Sequence, residues 1–216
     1  HMQLVPQEYE YVHNLAFRGP QNLRVRWDPA HNPERRDPAV RHWAQAVHLG
    51  GPTASAMVRK LRVLAADTLA SGPHIVRLRL AAADGSALPR WSPGAHIDIE
   101  CGDTGLSRQY SLCGDLADTH AFEIAVLRDE ASRGGSAWVH DHLCEGAALR
   151  VRGPRNHFRL DEGAPRLIFI AGGIGITPIA AMAQRAQALG RDYVLHYSGR
   201  RRADMPLLAV LQARHG

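Results

Sequence analysis

From Met57 onward apolar and polar residues alternate in short runs. Val58-Arg59-Lys60-Leu61-Arg62-Val63-Leu64 and Ile75-Val76-Arg77-Leu78-Arg79-Leu80 set apolar side chains against basic ones, so each reads as a strand with one buried and one wet face. His96-Ile97-Asp98-Ile99-Glu100, Arg108-Gln109-Tyr110-Ser111-Leu112, the run from Phe122 to Arg128, and Leu149-Arg150-Val151-Arg152 repeat the pattern. Turn chemistry separates the runs, as at Ala83-Asp84-Gly85-Ser86. A short helix fits Ala137 to Leu143 with Ser136 as its cap. Short strands, tight turns and one small helix predict a closed six-stranded antiparallel barrel.

The rhythm changes after a hinge at Gly163-Ala164-Pro165. Leu167-Ile168-Phe169-Ile170 is a continuous apolar run, as a buried parallel strand requires. Ala171 to Pro178 follows as a glycine-rich turn, then an Ala-rich helix former from Ile179 to Leu189. Thr177 suits the helix cap, Pro178 the first helical position and Gly190 the stop. Tyr193 to Tyr197 reads as a second strand, and a further helix starts near Met205-Pro206. Unpaired backbone N–H groups converge where such a turn opens a helix, and bare Cα atoms let an anion approach. Pro178 replaces the third glycine of the usual dinucleotide pattern, so by itself the turn also fits a plain strand–helix connection. A parallel sheet of two strands cannot cover its faces, so either a truncated chain or completion by another chain is expected.

Residues 3–55 are different again. They hold Pro6, Pro20, Pro29, Pro33, Pro38 and Pro52 and few alternating runs. One helix is expected, capped by Asp37, opened by Pro38 and ended by Gly50 or Gly51, with Val40, Trp43 and Val47 on one face. Tyr9, Tyr11, Phe17 and Trp27 favour an arm docked on its own domain or on a partner over disorder. The expected organisation is an arm over 1–55, a barrel over 56–162 and an incomplete α/β domain over 163–216.

Charge and composition narrow the chemistry. The net charge is +5, and Lys60 is the single lysine among 26 basic residues. No basic stripe is interleaved with aromatics, which argues against nucleic acid; Arg200-Arg201-Arg202 is the densest basic run. Cys101, Cys113 and Cys144 are odd in number and widely spaced, which argues against a disulfide framework, and without a CxxC or C-x4-C-x2-C pattern no zinc or iron–sulfur site supplied by this chain is expected. The histidines lack metal-ligand spacing. No run is long and apolar enough for a bilayer and no secretory signal is present, so a cytoplasmic protein is expected; His1-Met2 resembles a tag-cleavage scar.

Four phrases stand in a telling order: Arg108-x-Tyr110-Ser111-Leu112, Arg133-Gly134-Gly135-Ser136, Gly153-Pro154-Arg155-Asn156-x-Phe158, and Gly172-Gly173-Ile174-Gly175-Ile176-Thr177-Pro178. Over about residues 57–205 the chain resembles the ferredoxin-reductase-like flavoprotein family, in particular the reductase components of Rieske-type oxygenases, the phthalate dioxygenase reductase and vanillate demethylase reductase group. The resemblance implies a Greek-key flavin-binding barrel followed by the first part of a parallel α/β nucleotide-binding domain. It implies FMN rather than FAD. Arg108 would pair with the flavin phosphate through its guanidinium fork, beside Gln109. Tyr110 would lie along the flavin or its ribityl chain, Ser111 near N5, and Leu127 and Arg128 beside the ring and its tail. Gly134, Gly135 and Ser136 would bring N–H groups and a hydroxyl to the phosphate. Gly172, Gly173 and Gly175 would receive NADH or NADPH, with Thr177 facing the reacting edge and His196, Tyr197 and Arg200 near ribose and adenine. No acidic residue ends the second strand, although Asp204 follows, so the choice between the two nucleotides stays open.

The implied mechanism is hydride transfer from nicotinamide to the flavin, then single-electron release to an iron–sulfur centre of an oxygenase component or ferredoxin. Each residue also has an ordinary role: a surface ion pair for Arg108, barrel packing for Tyr110, capping for Ser136 and Thr177. The family's late nicotinamide segment and [2Fe–2S] domain have no counterpart here, so that cluster is expected only outside this chain. The alternative is a flavin-binding or partner-docking module without independent turnover.

Overall fold

A computed structural model describes residues 2–4, 25–27, 57–69, 75–129, 131 and 133–215. The chain forms two compact units, His1–Gly51 and Pro52–Gly216. In the first, β1 (Met2–Leu4) pairs antiparallel with β2 (Val25–Trp27). The helix expected from Asp37 to Gly50 or Gly51 lies outside the described residues.

The second unit opens with six antiparallel strands: β3 (Val58–Thr68), β4 (Ile75–Ala82), β5 (Ala95–Glu100), β6 (Ser107–Ser111), β7 (Ala121–Leu127) and β8 (Ala148–Asn156). Their order in the sheet is β6-β5-β8-β3-β4-β7. The two end strands meet at one bridge, Leu112 opposite Ile124, and at Cys113 N–H donating to the Glu123 carbonyl at 2.9 Å. The barrel is therefore closed at one end of the β6–β7 seam and only loosely joined along the rest. Alternation has the predicted outcome: Leu61, Leu78, Leu80, Ile97, Ile99, Phe122, Ile124 and Val151 fill the interior, fully buried. The strand β3 continues four residues beyond its alternating run. A register shift between Val63 and Ala65 leaves the outward-facing Leu64 without a partner on β4, after which pairing resumes as far as Thr68 opposite Val76.

Helix α1 (Gly135–His142) packs Val139 into the barrel core. The parallel pair β9 (Arg166–Gly172) and β10 (Asp192–Ser198) follows, joined by α2 (Ile176–Ala188). A Schellman stop ends α2: Gly190 has φ +62°, its N–H donates to Gln187, and Arg191 N–H donates to Ala186. Leu167, Phe169 and Ala171 pack under α2 with Ile179, Met182 and Ala186, joined by Leu211 of α3 (Leu208–His215). On the other face Ile168 and Ile170 stay 64% and 75% exposed; among the described residues nothing covers them.

Among the described residues several contacts join the barrel to the α/β layer. Leu116 N–H donates to Gln184 Oε1 at 3.3 Å, and Gln184 Nε2 donates to Asp115 at 3.4 Å. Arg185 grips Glu162 with two hydrogen bonds of 2.9 Å. Gly94, at φ +89°, lies against the Phe158 carbonyl and the Met182 side chain, so a Cβ there would strike both.

Gly94→Ala should cost about 1–3 kcal/mol through overpacking and its left-handed backbone, read as a lower urea midpoint at unchanged slope. The thiols differ sharply. Cys144 is exposed, Cys101 is buried, and Cys113 directs its thiol inward to the Glu123 carbonyl at 3.6 Å. Burial raises the Cys101 thiol above its usual range and pushes Cys113 up to about 12. At pH 8 both stay protonated, so iodoacetamide should label Cys144 alone in the native chain and all three after denaturation, as mass spectrometry reads directly.

Candidate functional site

The first cluster straddles the open part of the β6–β7 seam. Successive residues of β6 face opposite sides, so Arg108 and Tyr110 share one face and Gln109 and Ser111 the other. Arg108 lies across the start of α1. A Cβ added to Gly135 would fall 2.6 Å from its Nε, so only glycine permits this approach. The guanidinium donates to the Ser107 carbonyl at 2.9 Å and forms no ion pair among the described residues. Gly134 enters the helix at φ +93° without a side-chain cap.

Ser136 is not the cap that its position predicted. The left-handed turn at Gly134 starts the helix two residues earlier, at Gly135, and the Ser136 hydroxyl accepts the Asp129 N–H at 3.1 Å. That bond ties the loop after β7 to α1. Beneath Gly135 the Cys101 thiol donates weakly to the Gly135 carbonyl at 3.9 Å. The Tyr110 hydroxyl is buried and has no hydrogen-bond partner among the described residues; burial raises it well above the usual phenol range. Leu127 ends β7, about one third exposed. Arg128 forms an ion pair with Asp141 at 2.5 Å, which holds that carboxyl below its usual range. Gln109 and Ser111 sit opposite Asp98 and His96 of β5.

The second cluster lies at the carboxyl ends of β9 and β10, with its turn against β7. Gly173 to Gly175 form one 3-10 turn before α2, with Gly173 at φ +50°. A Cβ at Gly173 or Gly175 would meet nothing within 4 Å, so the turn is open to its surroundings. Thr177 is not the cap either. The 3-10 turn leads directly into a helix that begins at Ile176, leaving Thr177 inside its first turn, 6% exposed, with its hydroxyl donating to Ile174 at 3.0 Å. The Tyr197 hydroxyl lies 3.2 Å from the Gly173 carbonyl oxygen and 2.9 Å from that of Pro206, so it pins the turn to the loop after β10. Arg200 is exposed on that loop.

One polar cluster was not anticipated. Asp98 and Arg155 form an ion pair on the outer face of β5 and β8, next to a cavity of about 390 Å³ also lined by Glu100, Ser107 and Arg152. Asp98 occupies a wet position in the alternating pattern, yet Arg155 and the neighbouring strand leave it 6% exposed. Burial also lowers His96 below the usual imidazole range. Among the described residues no group of three or more His, Cys, Asp or Glu side chains is placed to hold a metal ion, and no helix is long and apolar enough to cross a membrane.

No protein-family model matches the chain. Individual proteins do. Phenoxybenzoate dioxygenase subunit beta of Ectopseudomonas oleovorans is 50% identical over 139 residues, 64% of this chain and 42% of that protein. An intact type IV self-sufficient cytochrome P450 monooxygenase matches 100% of this chain at 51% identity and TM-score 0.71, over 28% of its own length. Phthalate dioxygenase reductase, described as modular for electron transfer from pyridine nucleotides to [2Fe-2S], matches 72% of this chain at 35% identity and TM-score 0.67, over 48% of its length. The chain thus spans less than half the length of each of these relatives. Motif order, sequence identity and fold agree: over the part of their length that it spans, the chain is similar to the reductase components of oxygenase systems.

Proposed function

We propose that this chain is the flavin- and pyridine-nucleotide-binding part of an oxygenase reductase, passing electrons from NAD(P)H through FMN to a [2Fe–2S] centre. The observation that carries the reading is Arg108 laid over the bare Cα of Gly135 at the mouth of α1. A guanidinium and a helix amino terminus converge there, and both favour a phosphate dianion. The barrel would be the flavin domain over 56–162, and 163–216 the start of the nucleotide domain.

In this reading Arg108 grips the phosphate while Gly134 and Gly135 supply N–H groups and Ser136 holds the loop that borders them. FMN suits the site better than FAD because its phosphate is terminal and can present a full dianion to this one helix mouth. Tyr110 has a buried hydroxyl with no partner of its own, which fits a neighbouring polar ligand. It lines the inner side of the ring site, Leu127 and Arg128 border its tail, and Gln109 and Ser111 flank it from the other face of β6. The open turn at Gly172, Gly173 and Gly175 takes the dinucleotide pyrophosphate, and Thr177 stiffens the entry to α2 at the reacting edge. The chemistry a bound flavin supplies is hydride acceptance and single-electron release. The residues contribute alignment: ring contact of roughly 3–3.5 Å is needed, and the Gln184 and Arg185 contacts set how the α/β layer meets the barrel.

A second point concerns the final acceptor. The self-sufficient P450 monooxygenase matches the whole chain, residues 1–56 included, whereas phthalate dioxygenase reductase matches 72% of it. That favours a haem monooxygenase over a Rieske oxygenase as the last member of the electron path, with the [2Fe–2S] centre between.

Arg108→Ala removes charge-assisted hydrogen bonds worth about 1.5–3 kcal/mol, so the Kd for FMN should rise roughly 10- to 150-fold in a flavin-fluorescence titration; unchanged affinity would refute the phosphate assignment. Anaerobic mixing of the FMN-loaded chain with NADPH or NADH should bleach the flavin absorbance. Flavin bound without bleaching by either nucleotide would instead make this a docking module without turnover.

A further inference from the structure

We infer that the loop after β10 selects a 2′-phosphorylated dinucleotide, so that NADPH rather than NADH is the donor; this rests on the proposed reading of the glycine turn as the dinucleotide site. In open parallel α/β sheets the ligand lies outside the carboxyl ends of the strands. The adenosine ribose then meets the end of the second strand. A carboxylate there hydrogen-bonds a free 2′-hydroxyl and repels a 2′-phosphate, whereas arginine accepts the phosphate.

Here the second strand is β10, and its last residue, Ser198, pairs directly with Gly172. The residues that follow are Gly199, Arg200, Arg201 and Arg202, with no carboxylate among them. Gly199 lets the loop fold back on itself, since a Cβ there would fall 2.5 Å from Met205 Cγ. The short 3-10 turn Arg202–Asp204 follows, with Asp204 N–H donating to the Arg201 carbonyl at 3.0 Å. The Tyr197 hydroxyl bridges the Gly173 and Pro206 carbonyls, so the far end of the arginine loop is tied to the glycine turn.

The state of the three guanidinium groups completes the argument. Several arginines elsewhere are paired with carboxylates, Arg79 with Asp118, Arg150 and Arg152 with Glu100, Arg155 with Asp98 and Arg185 with Glu162, whereas Arg62, Arg108 and Arg191 form no ion pair among the described residues. Arg200, Arg201 and Arg202 are all exposed, and none forms an ion pair among the described residues. A merely solvated loop explains their exposure. It does not explain three uncompensated cations at the one strand end where a 2′-hydroxyl would call for an acid.

Calorimetric titration of the full chain with adenosine 2′,5′-bisphosphate and with 5′-AMP tests this at low ionic strength. The bisphosphate should bind at least tenfold more tightly, and the ratio should shrink as salt rises. Arg201→Ala and Arg202→Ala, singly and together with Arg200→Ala, should collapse the ratio by weakening the bisphosphate more than 5′-AMP. Arg191→Ala, an exposed arginine before the opposite end of β10, should leave the ratio intact. Equal affinity for both probes in the unaltered chain overturns the 2′-phosphate inference and leaves the nucleotide site standing. Binding of neither probe overturns the nucleotide site and the inference with it.

Discussion

The approach of Arg108 to the backbone of Gly135 is the constraint around which the barrel is arranged. A long charged side chain can cross the start of a helix only where the helix residue has no Cβ. That requirement couples β6 to α1, and α1 in turn anchors through Val139 in the barrel core. β6 and β7 do not pair along their length. Their pairing is confined to Leu112 and Ile124, and the space beyond holds the arginine, the buried Tyr110 hydroxyl and the Cys101 thiol.

The α/β layer relies on a different economy. In its turn between β9 and α2 a Cβ at Gly173 or Gly175 would meet nothing within 4 Å, while Thr177 and Tyr197 hold the surrounding backbone through carbonyl oxygens. Charge is distributed to match. Several of the barrel's outward arginines are paired, Arg150 and Arg152 with Glu100 and Arg155 with Asp98 across strands, and Arg79 with Asp118 of the loop before β7. The loop after β10 carries Arg200, Arg201 and Arg202, all exposed and none in an ion pair among the described residues.

Local patterns misjudged the ends of elements for identifiable reasons. Ser136 and Thr177 have the side chains of helix caps, but a positive-φ glycine in one case and a 3-10 turn in the other advanced the helix start beyond them. The alternation of β3 stopped at Leu64, although a bulge carried the strand further. Asp98 sat at a polar position and proved buried, because the neighbour that covers it, Arg155, is distant in sequence.

By itself the sequence determined the six alternating strands, the parallel pair with its glycine turn, and the order of four short phrases that marks the family. Each depends on periodicity or on residue types close together in the chain, and such information is local. Only the tertiary structure decided that Arg108 rests on Gly135, that Tyr197 joins the glycine turn to the arginine loop, and that Asp98 is sealed by Arg155. Those are contacts between segments set side by side by strand pairing and packing, and nothing in the spacing of either segment encodes its distance from the other.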